Sequence, residues 1–485
     1  MHNYSIYKVL ELAPVRREVF DKSNDKAIAP ASILFFRYSH GKNTGSKELI
    51  HYCLKPNRLF SLFKIFVLQR PDIKKVVQKR LMDNDWLWKV LVYGSYLDFN
   101  FISRLKEDYQ SFSDVIEEKD AIVGEGVQVG NTELYNVDSY LNKPFIDTRK
   151  KHIFPFFIHF DPNSKWKHGF VHRKRNKELF SPPALLTTRG IGSDFKANTA
   201  ILYTEAIFTH AVTSVKTSNK NLNILRIANG IMFSELFSYC TLLLASSIGI
   251  EREQLHDKEK FAFPFIDDSK IAKTVKQIEN ISKQLYEEKQ KPLNPKVPKI
   301  EVNKQALITQ LDDEIFNSFD LDEQEHSLVD YAVNITIPLI MHKGYERKLF
   351  SSIPFRNKAL EEYINIFLSR FETSFRKKHL RAEIWHSDNI VGIFFKVVSN
   401  NSSDQQTIEW QEKKNEKLLN KIVSLGTEKV TEDLFIQKDI RGFEKKGFYI
   451  IKPNEKKLWH KAIGYLDVDE FMDAILKAGK EAYHG

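Results

Sequence analysis

The chain has 485 residues, of which 42% are hydrophobic and 12% aromatic, a composition that excludes an intrinsically disordered protein and is typical of a multidomain globular one. Its 73 Lys and Arg residues exceed its 63 Asp and Glu residues, which gives a formal net charge of +10. This balance favours an anionic partner, with nucleic acid first and a membrane surface second, although solubility alone would also explain it.

The cysteine content and the apolar stretches narrow the class further. Cys53 and Cys240 lie far apart, so the sequence offers no disulfide framework and no cysteine-rich metal site, and we predict two core thiols of a cytoplasmic protein. The N-terminus lacks the apolar segment of a signal peptide. The apolar stretch at residues 236–250 is shorter than the about 20 residues of a membrane span, which predicts a buried helix and no membrane partner.

The first 120 residues predict strands followed by helices. Short apolar runs in residues 1–40 predict a strand, a short helix at 15–22 and a strand at 27–36. Two or three strands without covering helices do not fold alone, so this segment needs another surface. Apolar residues at helical spacing predict helices across residues 58–120.

The middle of the chain predicts a β-rich region and then more helices. Residues 121–215 contain Gly and Pro punctuation between aromatic and β-branched runs, which predicts short strands. Helical spacing returns at 222–250 and at 270–291, and residues 292–299 (PLNPKVPK) are predicted as a linker.

The last part predicts helices, then strands, and a closing helix capped by Asp467 with Gly479 near its end. Together these patterns predict a mixed α/β, multidomain fold. Its predicted parts are terminal strands of a larger sheet at 1–65, an α+β recognition domain at 66–265, a long helix and linker at 266–300, and an α+β domain at 301–485.

Two short motifs invite a catalytic interpretation that their context does not favour. The glycine cluster GEGVQVG at 124–130 has no following Gly-Lys-Ser or Gly-Lys-Thr and no amphipathic helix, so a tight turn between strands is the better interpretation. The SPPA sequence at 181–184 is similar to the Ser-Pro-Pro-aromatic motif of amino-group methyltransferases. Ala184 lacks the ring that stacks on a flipped base, so we predict a stiffened strand entry.

The positive charge is concentrated in residues 149–220. This stretch has thirteen Lys and Arg residues against four Asp and Glu residues, an excess of +9, and it interleaves aromatic and histidine side chains. Cations that contact phosphates, beside aromatic and polar groups that contact base edges, are typical of a nucleic-acid surface. A solvated basic face is the alternative.

No residue pattern identifies a catalytic or metal site. The histidines lack metal-ligand spacing, and no Ser-His-Asp or Cys-His arrangement is evident. Glu383 and Lys396 are loosely similar to a nuclease pattern, but they are too far apart in sequence for a Glu-x-Lys pair. Asp467, Asp469 and Glu470 are predicted as acidic residues at the start of the closing helix. We therefore predict no catalytic, cofactor-binding or metal-binding residue.

Several segments together resemble a known family. Residues 9–36 (VLELAPVRREVFDKSNDKAIAPASILFF) resemble the end of the catalytic domain in large N6-adenine DNA methyltransferases of the restriction-modification type. Residues 98–130 and 181–212 resemble the opening helix, glycine turn and strands of that family's target-recognition domain. The segment IANGIMFSELFSYCTLLLASSIGIEREQL (227–255) resembles its closing helix. The resemblance covers about residues 5–265.

The resemblance implies a recognition role without catalysis. The family's S-adenosylmethionine loop and its Asn-Pro-Pro-Tyr motif belong upstream of residue 1, and neither occurs in this chain. It therefore implies no catalytic residue here, only a DNA-recognition surface comprising Gly124, Gly126, Gly130, Arg173, Lys174, Arg175, Arg189 and Lys196.

The leading hypothesis is a DNA-binding specificity half of a split adenine methyltransferase in restriction-modification or antiviral defence. The expected partners are double-stranded DNA and a catalytic subunit that holds S-adenosylmethionine, with a nuclease or another defence protein as a further candidate. The alternatives are a non-enzymatic interaction subunit of a defence complex and a nuclease in residues 300–485.

Overall fold

The structure is a computed structural model. It describes residues 2–15, 31–40, 44–55, 68, 70–130, 132, 134–249, 254–292, 294–342, 346–372, 374, 378–399, 407–414, 417, 420 and 440–484. The fold is mixed α/β with several small sheets, as the sequence predicts. The chain divides into two compact units, Met1–Asp85 with His342–Gly485, and Trp86–Met341.

The first unit begins with a four-stranded sheet. It contains β1 (Tyr4–Glu11), β2 (Ser32–Tyr38), β3 (Glu48–Cys53) and β4 (Ile73–Val77) in the order β2-β1-β3-β4. β1 pairs antiparallel with β2 and parallel with β3. Short 3₁₀ helices occupy Ala13–Val15 and Arg70–Asp72.

The helical prediction for residues 58–120 is wrong at Ile73–Val77, which is strand β4. Its β-branched residues suit a strand, and β4 pairs with β3 so that Val77 faces Glu48 and Ile73 faces Tyr52. The predicted helices at 15–22 and 58–70 fall almost entirely outside the described residues. Helices do follow at α1 (Gln78–Asp83), α2 (Leu87–Tyr93), α3 (Tyr96–Asp108) and α4 (Phe112–Glu118).

Residues 121–216 form short strands, as predicted. They are β5 (Ile122–Glu125), β6 (Tyr135–Asn136), β7 (Phe145–Ile146), β8 (Ile153–Phe154), β9 (Phe157–Ile158), β10 (Phe170–Val171), β11 (Ala184–Ile191), β12 (Ala197–Leu202), β13 (Ile207–Phe208) and β14 (Val212–Lys216). One sheet has the order β12-β11-β14-β5, and three two-stranded pairings join β6 with β10, β7 with β13, and β8 with β9. Trp166, Phe180 and Phe208 lie in the core beneath these strands.

The second unit is completed by helices α5 (Leu222–Met232), α6 (Glu235–Leu244), α7 (Asp257–Lys260), α8 (Ser269–Lys289), α9 (Val297–Ser318), α10 (Glu323–Tyr331) and α11 (Ile337–Met341). The predicted linker at 292–299 connects α8 to α9, and these two helices pack against each other. Pro298 lies in the first turn of α9, where proline costs no helical hydrogen bond. The prolines thus mark a turn within one unit.

The prediction of a buried helix at 236–250 is confirmed for residues 236–244, which belong to α6 and are almost all buried, while the helix ends at Leu244. The prediction of two core thiols is also confirmed. Both cysteines are buried, and burial raises the pKa of Cys53 to about 11 and that of Cys240 to about 12. Within the described parts of the chain, no single helix has the length and apolar composition to cross a membrane. The neighbouring segments Asn219–Met232 and Glu235–Leu244 have this length and apolar composition only when they are taken together, and the chain bends by 70° between them.

The C-terminal part of the first unit contains α12 (Glu346–Leu349), α13 (Lys358–Phe371), β15 (Lys378–His386), β16 (Ile390–Ser399), β17 (Ile408–Glu412), β18 (Ile440–Glu444), β19 (Gly447–Pro453) and α14 (Lys461–His484). The strand order is β17-β15-β16-β19-β18. Tyr363 and Phe367 of α13 pack with Phe395, Phe448 and Phe471 in the core between this sheet and the two long helices.

The prediction that Asp467 caps the closing helix is wrong, because α14 begins six residues earlier at Lys461. Asp467 is buried, pairs with Lys452 and Arg441, and accepts a hydrogen bond from the Tyr363 hydroxyl at 2.5 Å. Burial raises the pKa of this carboxyl, but the two cations outweigh burial and hold it below its usual value. The acid is needed inside the fold, where it neutralises buried cations.

Candidate nucleic-acid interface

The glycine cluster forms the end of β5 and a tight turn. The amide of Gly126 donates to the Val212 carbonyl at 3.0 Å, and the next amide, of Val127, donates to the Phe208 carbonyl at 3.0 Å. A Cβ on Gly126 would lie 2.2 Å from the Phe208 carbonyl oxygen, so only glycine fits this approach. A Cβ would lie 2.9 Å from the Leu179 side chain at Gly124 and 3.0 Å from the His172 side chain at Gly130. A main-chain contact therefore requires glycine at Gly126, whereas Gly124 and Gly130 lie against side chains.

Arg175 and Arg189 both pair with one carboxylate beside this turn. Arg175 Nη2 lies 3.3 Å from Glu125 Oε2, and its Nε donates to the Gly126 carbonyl at 3.3 Å. Arg189 Nη2 contacts Glu125 Oε1. The two guanidinium groups therefore brace the end of β5, and half of their combined charge is neutralised by Glu125.

Lys196 is directed into its own unit. Its side chain is only 13% exposed, its Nζ lies 3.9 Å from Asp312 Oδ2, and the ammonium sits 5.0 Å from the centre of the Phe233 ring. Burial raises the pKa of Asp312 to about 6, and the Lys196 charge opposes that rise. This ammonium is used to stabilise a buried acid, so it is a poor candidate for a phosphate contact.

Arg173 and Lys174 are held differently. Both are exposed, and neither forms an ion pair with any residue that the structure describes. The Arg173 backbone is nevertheless fixed, because the Arg173 amide donates to the Gln128 carbonyl at 3.2 Å and the Gln128 amide donates to the Arg173 carbonyl at 3.3 Å. Two exposed cations thus lie on or directly after a hydrogen-bonded segment.

These cations lie at the end of a small two-stranded element that we call the basic ribbon, residues 134–137 and 169–174. Phe170 of β10 faces Asn136 of β6, and the Leu134 amide donates to the Val171 carbonyl at 3.2 Å. Strand alternation places Leu134, Asn136, Phe170 and His172 on one face. Leu134 is 60% exposed and Phe170 is 45% exposed, while Val171 is buried and anchors the ribbon.

Further cations precede the basic ribbon. The Trp166 ring is buried, and its Nε1 donates to the His168 carbonyl at 2.7 Å. Lys165 and Lys167, on either side of Trp166, are both exposed. Trp166 and Phe156, two of the aromatic residues interleaved in the basic stretch, are buried in the core and do not contact bases. Of the aromatic residues in the basic stretch, Phe170 is the one that lies exposed beside Arg173 and Lys174.

The SPPA segment has a structural explanation. Lys216 Nζ donates to the Pro182 carbonyl at 2.7 Å, and Ala184 is fully buried as the first residue of β11. The prolyl carbonyl is therefore already occupied, and the segment is the stiffened strand entry that the sequence predicts.

Sequence spacing alone did not reveal that Glu383 and Lys396 would meet. They lie on the paired strands β15 and β16 and form an ion pair, while Trp385 Nε1 and Gln411 Nε2 donate to Glu383 at 2.7 and 3.0 Å. Burial raises the pKa of Glu383, but its hydrogen bonds outweigh burial and leave the pKa below its usual value. Among the described residues, no three His, Cys, Asp or Glu side chains are grouped to hold a metal ion.

Leu134 and Tyr135 are candidate contact residues that the sequence did not indicate. They belong to no motif, and both lie outside the basic stretch. Their exposure, 60% and 49%, becomes visible only once β6 is paired with β10. The only sequence signal is the apolar pair Leu134–Tyr135 between polar residues, which is common on protein surfaces.

The chain matches no protein-family model and no curated protein. Among solved structures, it is similar to the Type IIL restriction-modification enzyme MmeI in complex with DNA, with a TM-score of 0.34 and 11% sequence identity. The match covers 70% of this chain and 46% of the MmeI chain, so this chain spans about half the length of that protein. A TM-score of this size does not define a common fold.

Proposed function

We propose that this chain binds double-stranded DNA through the basic ribbon and is the specificity part of a site-specific adenine-N6 DNA methyltransferase. The observation that carries the proposal is that one two-stranded element exposes the apolar side chains of Leu134 and Phe170 and also carries Arg173 and Lys174, which form no ion pair with any residue that the structure describes. A two-stranded ribbon fits the major groove of DNA, where apolar and polar side chains contact base edges. Cations beside the ribbon fix its position by contacting phosphates.

The methyltransferase part of the proposal rests on the sequence resemblance of residues 5–265. A partner chain would hold S-adenosylmethionine and the catalytic motif, and the assembly would act in restriction-modification or defence against phage. No step of methyl transfer is assigned to a residue of this chain.

Duplex selection tests the DNA-binding part. The full chain is incubated with a random duplex library at several salt concentrations, and the bound duplexes are sequenced. Enrichment of one short site, with affinity that falls steeply as salt rises, is the expected result. Equal binding of all duplexes would favour the alternative of an interaction subunit without sequence choice.

Methyl transfer tests the partner part. The tagged chain is expressed with and without the protein encoded by the open reading frame immediately upstream, and labelled methyl transfer to adenine in DNA is measured. Transfer only in the presence of both chains is expected. Co-purification without transfer under any condition would contradict the methyltransferase assignment, and transfer by this chain alone would contradict the split.

A further inference from the structure

Strand β2 lies at the edge of its sheet, and its outer edge pairs with no other strand that the structure describes. It is the outermost strand of the order β2-β1-β3-β4, and β1 is its one partner among the strands that the structure describes. Its outer backbone amides and carbonyls therefore present a row of hydrogen-bonding groups that another strand can pair with.

Both faces of β2 are apolar and exposed. Ile33 and Phe35 point to one face, and Leu34, Phe36 and Tyr38 point to the other, each between 47% and 58% exposed. A strand that lies over a single core alternates apolar and polar residues. A strand that is apolar on both faces is typical of the interior of a sheet covered by helices on both sides.

The kind of partner follows from this pattern. A second copy of this chain that paired through the same edge would supply the backbone hydrogen bonds. It would not cover the apolar faces, because its own β2 exposes both faces in the same way. The only charged residue of β2 is Arg37, so the strand does not suit a nucleic acid. A suitable partner therefore has an edge strand that can pair with β2 and helices on both faces of its own sheet.

We infer that β2 is the docking edge for a partner whose own α/β sheet is extended by β2 and whose helices cover Phe35 on one face and Phe36 on the other. This deepens the proposed function, on which it rests for the identity of the partner as the catalytic subunit. The partner's edge strand supplies the missing backbone hydrogen bonds.

Site-specific photocrosslinking tests the inference. A photoreactive phenylalanine replaces Phe35, Phe36 or the control residue Leu476, which is 58% exposed on α14 as Phe36 is on β2. Each full chain is co-expressed with the protein encoded immediately upstream. Cross-links to that protein from positions 35 and 36, and none from 476, are expected. Cross-links from one face only, cross-links only to a second copy, or no cross-links at all would overturn the inference.

Charge substitution gives a second measurement. Phe36→Asp should weaken the affinity for the co-expressed partner about tenfold to 100-fold, since it removes apolar burial and adds a carboxylate, while Leu476→Asp should leave it unchanged. Thermal unfolding checks that both variants fold. Duplex binding is measured on the same samples. If the unsubstituted chain binds no duplex, the proposed function is refuted, whereas the cross-links from positions 35 and 36 test the docking of β2 independently of DNA binding.

Discussion

Removing Arg173 and Lys174, the two exposed cations of the basic ribbon, should change the salt dependence of DNA binding by a defined amount. Arg173→Ala with Lys174→Ala leaves the backbone bonds to Gln128 in place, because those bonds use main-chain atoms. The substitution therefore removes two positive charges without removing a contact that holds the ribbon.

The magnitude follows from counterion release. Each phosphate neutralised by a cation contributes about 0.9 to the slope of log K against log salt, so losing two contacts should reduce the slope by about 1.8. Between about 50 and about 200 mM salt, this difference corresponds to about a 12-fold smaller loss of affinity in the variant than in the unsubstituted chain.

Fluorescence anisotropy of a labelled duplex at several salt concentrations measures the slope. The matched control is Lys273→Ala with Lys276→Ala, which removes two exposed lysines from helix α8 of the same unit. The control should keep the slope of the unsubstituted chain. An unchanged slope in the Arg173–Lys174 variant, or an equal fall in the control, would refute the assignment of these cations to the interface.

Three further substitutions test other parts of the structure. Phe170→Ala should weaken binding of the selected duplex about tenfold with an unchanged salt slope, because it removes an apolar contact and no charge; a changed slope in anisotropy would contradict this. Asp467→Asn should lower the free energy of unfolding by about 3 kcal/mol in urea melts, because buried Lys452 loses its partner. The pKa of Asp467 in the folded chain lies below its usual value. The ionised carboxylate therefore contributes to the free energy of unfolding at pH values above the usual pKa, and this contribution is lost as the pH falls through the folded-state pKa. The Asp467→Asn variant should consequently be destabilised less by acid than the unsubstituted chain. Gly126→Ala should cost about 1–3 kcal/mol, because its Cβ would meet the Phe208 carbonyl, and equal stability in urea would argue against that tight turn.

Patterns that depend on neighbours in sequence predicted the structure well. The α8 helix shows clear helical spacing and begins after Asp268, whose side chain accepts from the Lys270 amide. The short strands of residues 121–216 are separated by the expected turn residues. In each case the residues that decide the structure lie within a few positions of one another.

Features that depend on distant partners were missed. Residues 73–77 contain both β-branched and charged residues, and the strand forms because β3 lies beside it. Asp467 resembles a helix cap until Lys452 and Arg441 are placed against it. Glu383 and Lys396 are thirteen residues apart in sequence but ion-paired across two strands. No local pattern contains these pairings.

The basic stretch shows how far a charge count can be taken. Its thirteen cations located the region, but five of them have partners within the chain: Arg149, Arg175, Arg189 and Lys196 pair with carboxylates, and Lys216 donates to two carbonyls. The other eight are exposed and form no ion pair with any residue that the structure describes, and only some of them lie on the basic ribbon. A slope set by phosphate contacts should therefore be well below the about 12 that thirteen contacts would give, and a slope near that value would mean that DNA displaces the internal partners.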